Sequence, residues 1–186
     1  MRIRKMDGPI YRLKVTLRGS RPPIWRRFLV PGGITLKRLH DCLQVVMGWY
    51  DDHLHNFDHG GLLYGTNYRE FDTDMPYVSE NTHTVGQLLS QPKDRLIYLY
   101  DFGDSWEHDV VLEAILPPGA GGGGPYPWVE AGRRACPPED IGGVPGYEDF
   151  LEAVADPEHP QHEDTIEWIG RPFDPDAFSV AEANLA

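Results

Sequence analysis

The stretch Thr35 to Gly48 most constrains what this chain can fold into, because it carries an amphipathic helix set between β-type segments on both sides. Leu36, Leu39, Leu43, Val46 and Met47 recur at helical spacing. At about 100° per residue they make one continuous apolar stripe, which has to be buried against another layer. The Thr35 hydroxyl can accept from a first-turn N–H, and Gly48 stands where a left-handed residue ends a helix. The helix is therefore predicted over Leu36 to Met47.

Upstream, Tyr11, Leu13, Val15 and Leu17 alternate with Arg12, Lys14, Thr16 and Arg18, the period-two pattern of a strand with one buried face. The turn residues from Gly19 to Pro23 and a second strand over Ile24 to Val30 complete a hairpin. Downstream, a short strand is predicted over Leu54 to Asp58, with Gly60-Gly61 as its turn and Leu62 to Tyr64 as its return. Residues 65–84 read as mostly irregular, and Thr84 caps one or two helical turns. Leu96 to Tyr100 is apolar at every position, as a central strand covered on both faces would be. Trp106 to Leu116 alternates again, with Trp106, His108, Val110, Leu112 and Ala114 on one side and Glu107, Asp109, Val111 and Glu113 on the other.

The run from Pro117 to Pro125 contains four consecutive glycines, which bring chain entropy and no side chain to bury, so a mobile loop is expected there. Beyond it, Tyr147, Phe150, Leu151 and Val154 share one helical face. A second helix is predicted to start near Pro160, and a last short one at Asp174-Pro175 with Phe173 and Phe178 as anchors. The result is an α+β fold: an antiparallel-rich mixed sheet with one main packed helix and a helical C-terminal segment. The sheet core is assigned to 1–116, the Gly/Pro-rich loop to 117–127, and the helical segment, packed on the same domain, to 128–186.

Charge is distributed unevenly. Residues 1–40 carry eleven Lys/Arg and a single acid, Asp7, a net of +10, which leaves −22 for residues 41–186 in a chain whose total is −12. A basic segment can track phosphates, and the nucleic-acid footprint would be Arg2, Arg4, Lys5, Arg21, Arg26, Arg27, Lys37 and Arg38. The competing expectation is internal neutralisation. The strand over 11–18 shows Arg12, Lys14 and Arg18 on its polar side, and the strand over 106–116 shows Glu107, Asp109 and Glu113, so pairing across adjacent strands of one sheet would contribute on the order of 0.2–1 kcal/mol per pair. A chain this acidic repels a polyanion at long range. No stretch is long and apolar enough to span a bilayer, and the first residues lack the apolar core of a secretory signal, so a soluble cytoplasmic protein is expected. Cys42 and Cys136 make neither a disulfide framework nor a C-x-x-C pair.

Among groups able to carry chemistry, His40, His53, His55, Asp101, Asp104 and His108 form the one candidate polar cluster. Imidazoles and carboxylates arriving from a helix, a strand and a hairpin can bind zinc or a harder divalent ion. Histidines beside an apolar stripe or sharing a face with Trp106 and Val110 also serve as hydrogen-bonded core residues. No metal or other cofactor is assigned. His159-Pro-Gln-His162-Glu163 is a helix start rather than a zinc-protease box, because Pro160 leaves His159 outside the helix. Ser105 lacks a nucleophile elbow, Cys42 lacks a group to lower its pKa, and the glycines at 119–124 lack the Lys-Ser/Thr of a P-loop.

Several strings together resemble the plasmid pRiA4b ORF-3-like family: Pro23-Ile-Trp-Arg-Arg, Thr35-Leu-Lys-Arg-Leu-His-Asp-Cys-Leu-Gln, Gly48-Trp with His53-Leu-His-Asn-Phe, Tyr100-Asp-Phe-Gly-Asp-Ser-Trp-Glu-His and Cys136-Pro-Pro-Glu-Asp-Ile-Gly-Gly. The tail, with Gly146-Tyr, Asp156-Pro-Glu-His-Pro-Gln-His and Phe173-Asp-Pro, extends the resemblance over about residues 9 to 184. It implies a soluble α+β domain found on plasmids and mobile elements, with no established activity. The expected function is that of a non-catalytic accessory or interaction module that binds protein or nucleic acid. The alternative is a metal-dependent hydrolase using the His/Asp cluster.

Overall fold

The computed structural model describes residues 8–66, 77–121 and 125–185. Among them, eight strands make one sheet: β1 (Ile10–Leu17), β2 (Trp25–Pro31), β3 (His55–His59), β4 (Leu62–Gly65), β5 (Val78–Ser79), β6 (Arg95–Tyr100), β7 (Trp106–Leu116) and β8 (Trp128–Arg133). Their order across the sheet is β5-β4-β3-β6-β7-β1-β2-β8. Every pairing is antiparallel except that of β4 with β5. The helices are α1 (Leu36–Met47), α2 (Val85–Leu88), α3 (Gly143–Ala155), α4 (His162–Ile169) and α5 (Val180–Ala183). The fold is α+β on a mixed sheet, as the patterning predicts.

Local chemistry sets α1 over the predicted residues. The Arg38 N–H donates to Thr35 Oγ1 at 3.3 Å, and Gly48, at φ 95°, donates to the Gln44 carbonyl at 2.8 Å. The stripe of α1 is buried in the same cluster as Leu13, Val15 and Leu17 of β1, Phe28 and Val30 of β2, Tyr98 and Tyr100 of β6 and Val110 and Leu112 of β7. Burial of each such side chain contributes about 1.5–3 kcal/mol. Tyr147 and Phe150 of α3 join that core, so the C-terminal segment is part of what covers the sheet.

The opposite face is charged and largely self-neutralised. β1 and β7 are neighbours in one sheet with their polar faces on the same side, and Arg18 donates to Glu107 at 2.9 Å and to Asp109 at 2.7 Å. Arg12 reaches past β2 to make a two-pronged contact with Glu130 on β8, at 2.6 and 3.0 Å. Arg27 reaches past β1 to Glu113 on β7, at 2.5 and 2.9 Å. At one end of this face Ile10, Leu29 and Tyr126 form a second, smaller apolar cluster.

Four expectations are corrected. Residues 128–186 are not wholly helical, since Trp128–Arg133 rejoins the sheet as β8 on the edge of β2. Ala131 and Gly132 spoil its alternation, and the partner strand rather than intrinsic pattern makes it extended. β6 is central but covered on one face only: Leu96, Tyr98 and Tyr100 are buried, while Ile97 and Leu99 are half-buried. The helix predicted at Asp174 is a turn closed by the Ala177 N–H on the Asp174 carbonyl, with α5 starting later, at Val180. Helix α4 begins at His162 rather than near Pro160. Of the Gly/Pro-rich loop, residues 122–124 lie outside the described residues; beside them Tyr126 is buried and donates to the Ala120 carbonyl at 2.7 Å. Among the described residues no helix is long and apolar enough to cross a membrane.

Candidate functional site

The six residues of the candidate polar cluster fall in three places. His40 and His55 are buried and stacked, with ring centroids 3.5 Å apart and planes inclined by 6°. Around His40 the hydrogen bonds close a circuit. His40 Nε2 lies 2.6 Å from Asp51 Oδ1, and Nδ1 lies 2.7 Å from the Tyr98 hydroxyl. Gln44 Nε2 donates to that hydroxyl at 2.9 Å, and the Asp51 N–H donates to Gln44 Oε1 at 3.0 Å. One assignment satisfies every atom: a neutral His40 donates from Nε2 to the carboxylate and accepts at Nδ1 from the tyrosine. Burial, with the charges of His55 and Lys37, pushes the His40 pKa down to about 2, which agrees with the neutral ring. Burial likewise raises the Tyr98 hydroxyl well above its ordinary value.

His55 extends this network to a second carboxylate. Its Nε2 lies 2.8 Å from Glu80 Oε2, and the Thr66 hydroxyl donates to Glu80 Oε1 at 3.0 Å. Burial of Glu80 works to raise its pKa, but the hydrogen bond and charge of His55 and the Thr66 hydroxyl outweigh it and hold the group low. His40, Asp51 and His55 each present one ligand atom within 4.8 Å of the other two. Two parallel stacked rings, however, aim their in-plane lone pairs side by side and do not converge on a cation. The circuit also occupies both His40 nitrogens. His108 stands apart, fully buried, with Nδ1 3.3 Å from the Tyr98 carbonyl and Nε2 unpartnered; burial lowers its pKa to about 4. It approaches the main chain of Tyr98 while His40 approaches its hydroxyl.

His53 and Asp101 meet at the sheet end with Asp140, which the sequence patterns do not single out. His53 Nδ1 is 3.7 Å from Asp101 Oδ2, and His53 Nε2 is 3.2 Å from Asp140 Oδ1. Asp101 is anchored by its own turn: Oδ1 accepts from Gly103 at 2.8 Å and from Asp104 at 3.3 Å, and the Asp101 N–H donates to the Leu54 carbonyl. Asp104 belongs to the scaffold, because its Oδ2 accepts from the Gly142 N–H at 3.1 Å and ties the β6–β7 turn to the loop carrying Asp140. A Cβ at Gly143 would run into the Asp104 carbonyl, so that approach requires glycine. Tyr100 packs edge-on against His53, donates to Glu139 Oε1 at 2.5 Å and accepts from the Asp52 N–H at 3.1 Å. Asp140 lies within the Cys136-Pro-Pro-Glu-Asp-Ile-Gly-Gly string, the only sequence signal that could have found it. Gln44 ends the Thr35-to-Gln44 string in the same way, whereas Asp51, Glu80 and Tyr98 carried no comparable signal.

Of the basic residues named as a nucleic-acid footprint, Arg2, Arg4 and Lys5 lie outside the described residues. Arg26 is buried and donates to the carbonyls of Val46, Trp25 and Arg133 at 2.9–3.0 Å, with its guanidinium 4.1 Å from the Phe178 ring centre. Arg27 is taken by Glu113, and Lys37 and Arg38 flank Asp41 at 3.4 and 3.7 Å. Arg21 is exposed in the β1–β2 turn. Cys42 is buried, and burial raises its thiol to about 12, outside the range of a reactive thiolate.

The concave feature beside the His53 corner is a cleft of about 390 Å³ between α3 and α4. Asp140, Asp149 and Asp164 line it with Phe150 and Trp168, and Trp168 is 53% exposed.

Sheet, helix and site together describe an α+β protein whose histidine- and aspartate-bearing strings gather at one end of the sheet. The chain belongs to the plasmid pRiA4b ORF-3-like protein family, whose profile matches residues 9–182. It is 38% identical over 182 residues to the uncharacterized protein y4hQ of Sinorhizobium fredii, covering 97% of this chain and 92% of that one. A crystal structure of MM3350 from Methanosarcina mazei Go1, described as a protein of unknown function, superposes with a TM-score of 0.83 at 40% identity, over 95% of this chain and 98% of the other.

Proposed function

We propose that this protein is a non-catalytic interaction module, an accessory of plasmid or mobile-element origin, and that its partner is a protein presenting a basic segment to the cleft between α3 and α4. The observation that carries this reading is the lining of that cleft, three carboxylates around an aromatic floor and an exposed indole. A lysine or arginine side chain entering it finds anions for its charge and aromatic faces for its stem, a combination worth about 0.5–2 kcal/mol for the cation–π part alone. The acid surplus beyond residue 40 favours the same partner sign and steers its approach. A protein is favoured over nucleic acid because the basic residues that would meet phosphate are, where described, mostly occupied by acids of the same chain or buried.

The test is a calorimetric titration of the full chain with a lysine-rich peptide and, separately, with duplex DNA, at low and high salt. The peptide should bind and DNA should not. Asp149→Asn with Asp164→Asn should weaken the peptide by about tenfold, and Trp168→Ala should weaken it too although no charge changes. Equal binding by Trp168→Ala and the parent would mean attraction by bulk charge only, and would overturn the assignment to this cleft.

A further inference from the structure

We propose that His53, Asp101 and Asp140 form a binding site for a divalent transition-metal ion, separate from the buried His40–His55 network. Each of the three offers one ligand atom within 4.8 Å of the other two. The set is open to solvent, since the His53 side chain is 25% exposed and that of Asp140 74% exposed, and unlike His40, whose ring nitrogens both have partners, His53 has a ring nitrogen without a hydrogen bond. A cation there can keep water in its remaining positions, as imidazole-and-carboxylate sites do.

The contact between His53 and Asp140 is informative in its detail. His53 Nε2 is buried and has no hydrogen-bond partner, although Asp140 Oδ1 lies only 3.2 Å away. The two atoms are close, but the oxygen is out of line for a hydrogen bond. That is the relation expected of two ligands of one ion: with metal–ligand bonds of about 2.0–2.2 Å and angles between square and tetrahedral, neighbouring ligand atoms stand roughly 2.8–3.6 Å apart. Asp101 offers the third ligand atom, within 4.8 Å of those of His53 and Asp140. Its Oδ1 is spent on the Gly103 and Asp104 amides, which leaves Oδ2 facing the His53 ring at 3.7 Å. Those amides act as the outer shell that fixes a metal-binding carboxylate, and the Tyr100 ring restrains His53 in the same way.

Asp101 lies in the β6–β7 turn and Asp140 in the loop before α3. The Asp104 bond to Gly142 then holds the two loops together, so two acids are kept within reach of one imidazole with no basic side chain between them among the described ion pairs. One nitrogen and two carboxylate oxygens select a first-row ion such as Zn²⁺ or Mn²⁺ over Ca²⁺, which prefers an all-oxygen shell.

The experiment uses tag-free full-length protein, stripped with chelator and desalted, titrated by calorimetry with Zn²⁺ and with Mn²⁺. One ion per chain should bind, and the melting temperature should rise with ion concentration. His53→Ala and Asp140→Asn should each weaken binding by about tenfold or more. Asp51→Asn, which alters only the buried set, should leave it unchanged. Asp140→Asn carries the test if His53→Ala does not fold, because its side chain is largely in solvent. Absence of binding by either ion at millimolar concentration, or equal binding in the parent and Asp140→Asn, would overturn the site. Asp140 lines the α3–α4 cleft too but His53 and Asp101 do not, so the peptide affinity of His53→Ala, or of Asp101→Asn where His53→Ala does not fold, separates failure of this site from failure of the docking reading.

Discussion

Two histidines approach one tyrosine from different atoms, and both are held neutral by burial. His108 has its pKa lowered to about 4 and His40 to about 2, against 6.5 for a solvated imidazole. Above pH 6.5 neither the folded nor the unfolded chain is charged at these positions, so the stability they permit is fully present. As the pH falls below 6.5 the unfolded chain takes up protons that the folded chain refuses, and stability drops by up to about 1.4 kcal/mol per pH unit for each histidine. The paired acids act lower: hydrogen bonds from Arg18 and Arg27 hold Asp109 and Glu113 below their usual range, and their contribution is lost as pH falls through those depressed values. The window from pH 6.5 to about 4 therefore belongs to the histidines. Urea unfolding midpoints should fall steadily from about pH 7 to about pH 5, and His108→Gln should flatten that slope by about one proton. A midpoint unchanged over this range would mean that these rings are not buried in their neutral form.

At the scale of elements, Arg26 stands out because it joins three of them with one side chain. From β2 it donates to the last turn of α1 at Val46 and to the end of β8 at Arg133. The guanidinium is planar with diverging donors, whereas a lysine offers a single point of charge. Arg26→Lys should therefore lose about 1–3 kcal/mol, because at least one buried carbonyl goes without a donor. Arg12→Ala, by contrast, removes a part-exposed ion pair on the outer face and should cost under about 1 kcal/mol. Chemical denaturation of both variants distinguishes the two roles, and equal losses would contradict the assignment of Arg26 to the core. The same element scale explains the unanticipated strand. β8 is an edge strand whose outer side is partly occupied by Asn184, which accepts from the Val129 N–H at 2.8 Å and donates to the Val129 carbonyl at 2.9 Å, as a neighbouring strand would.

For the whole molecule, the basic and acidic poles of the sequence are interleaved rather than separated. Arg12, Arg18 and Arg27 from the first forty residues meet Glu107, Asp109, Glu113 and Glu130 on one sheet face. The C-terminal third is equally interwoven, through β8 on β2, Tyr147 and Phe150 in the main core, and Trp49 Nε1 donating to the Pro137 carbonyl at 3.1 Å. A chain ending at residue 127 would expose the buried residues of β2 and lose the cover of α3. It should show no cooperative unfolding transition and should bind a hydrophobic dye, whereas the full chain should unfold in one step. A folded, cooperative truncation would show that the sheet core over 1–116 stands without β8 and α3.

Helix α1 with both caps, the β1–β2 hairpin, the β3–β4 return and the alternation of β7 were all legible in the sequence. Each depends on spacing within a few residues, a 100° or 180° advance that the local chain imposes on itself. Pattern also separated the buried from the charged face of the sheet. Neither the edge strand β8 nor the fate of the histidines could be read that way. His40 and His55 look alike in sequence to His53, yet the first two stack in the core and the third faces Asp140 at the surface. That division comes from contacts across long separations, Tyr98 and Glu80 in one case and Asp140 in the other. Such partners are chosen by which strands are neighbours and which loops are clamped together. The order of the sheet and the Asp104–Gly142 bond, not any local spacing, decide it.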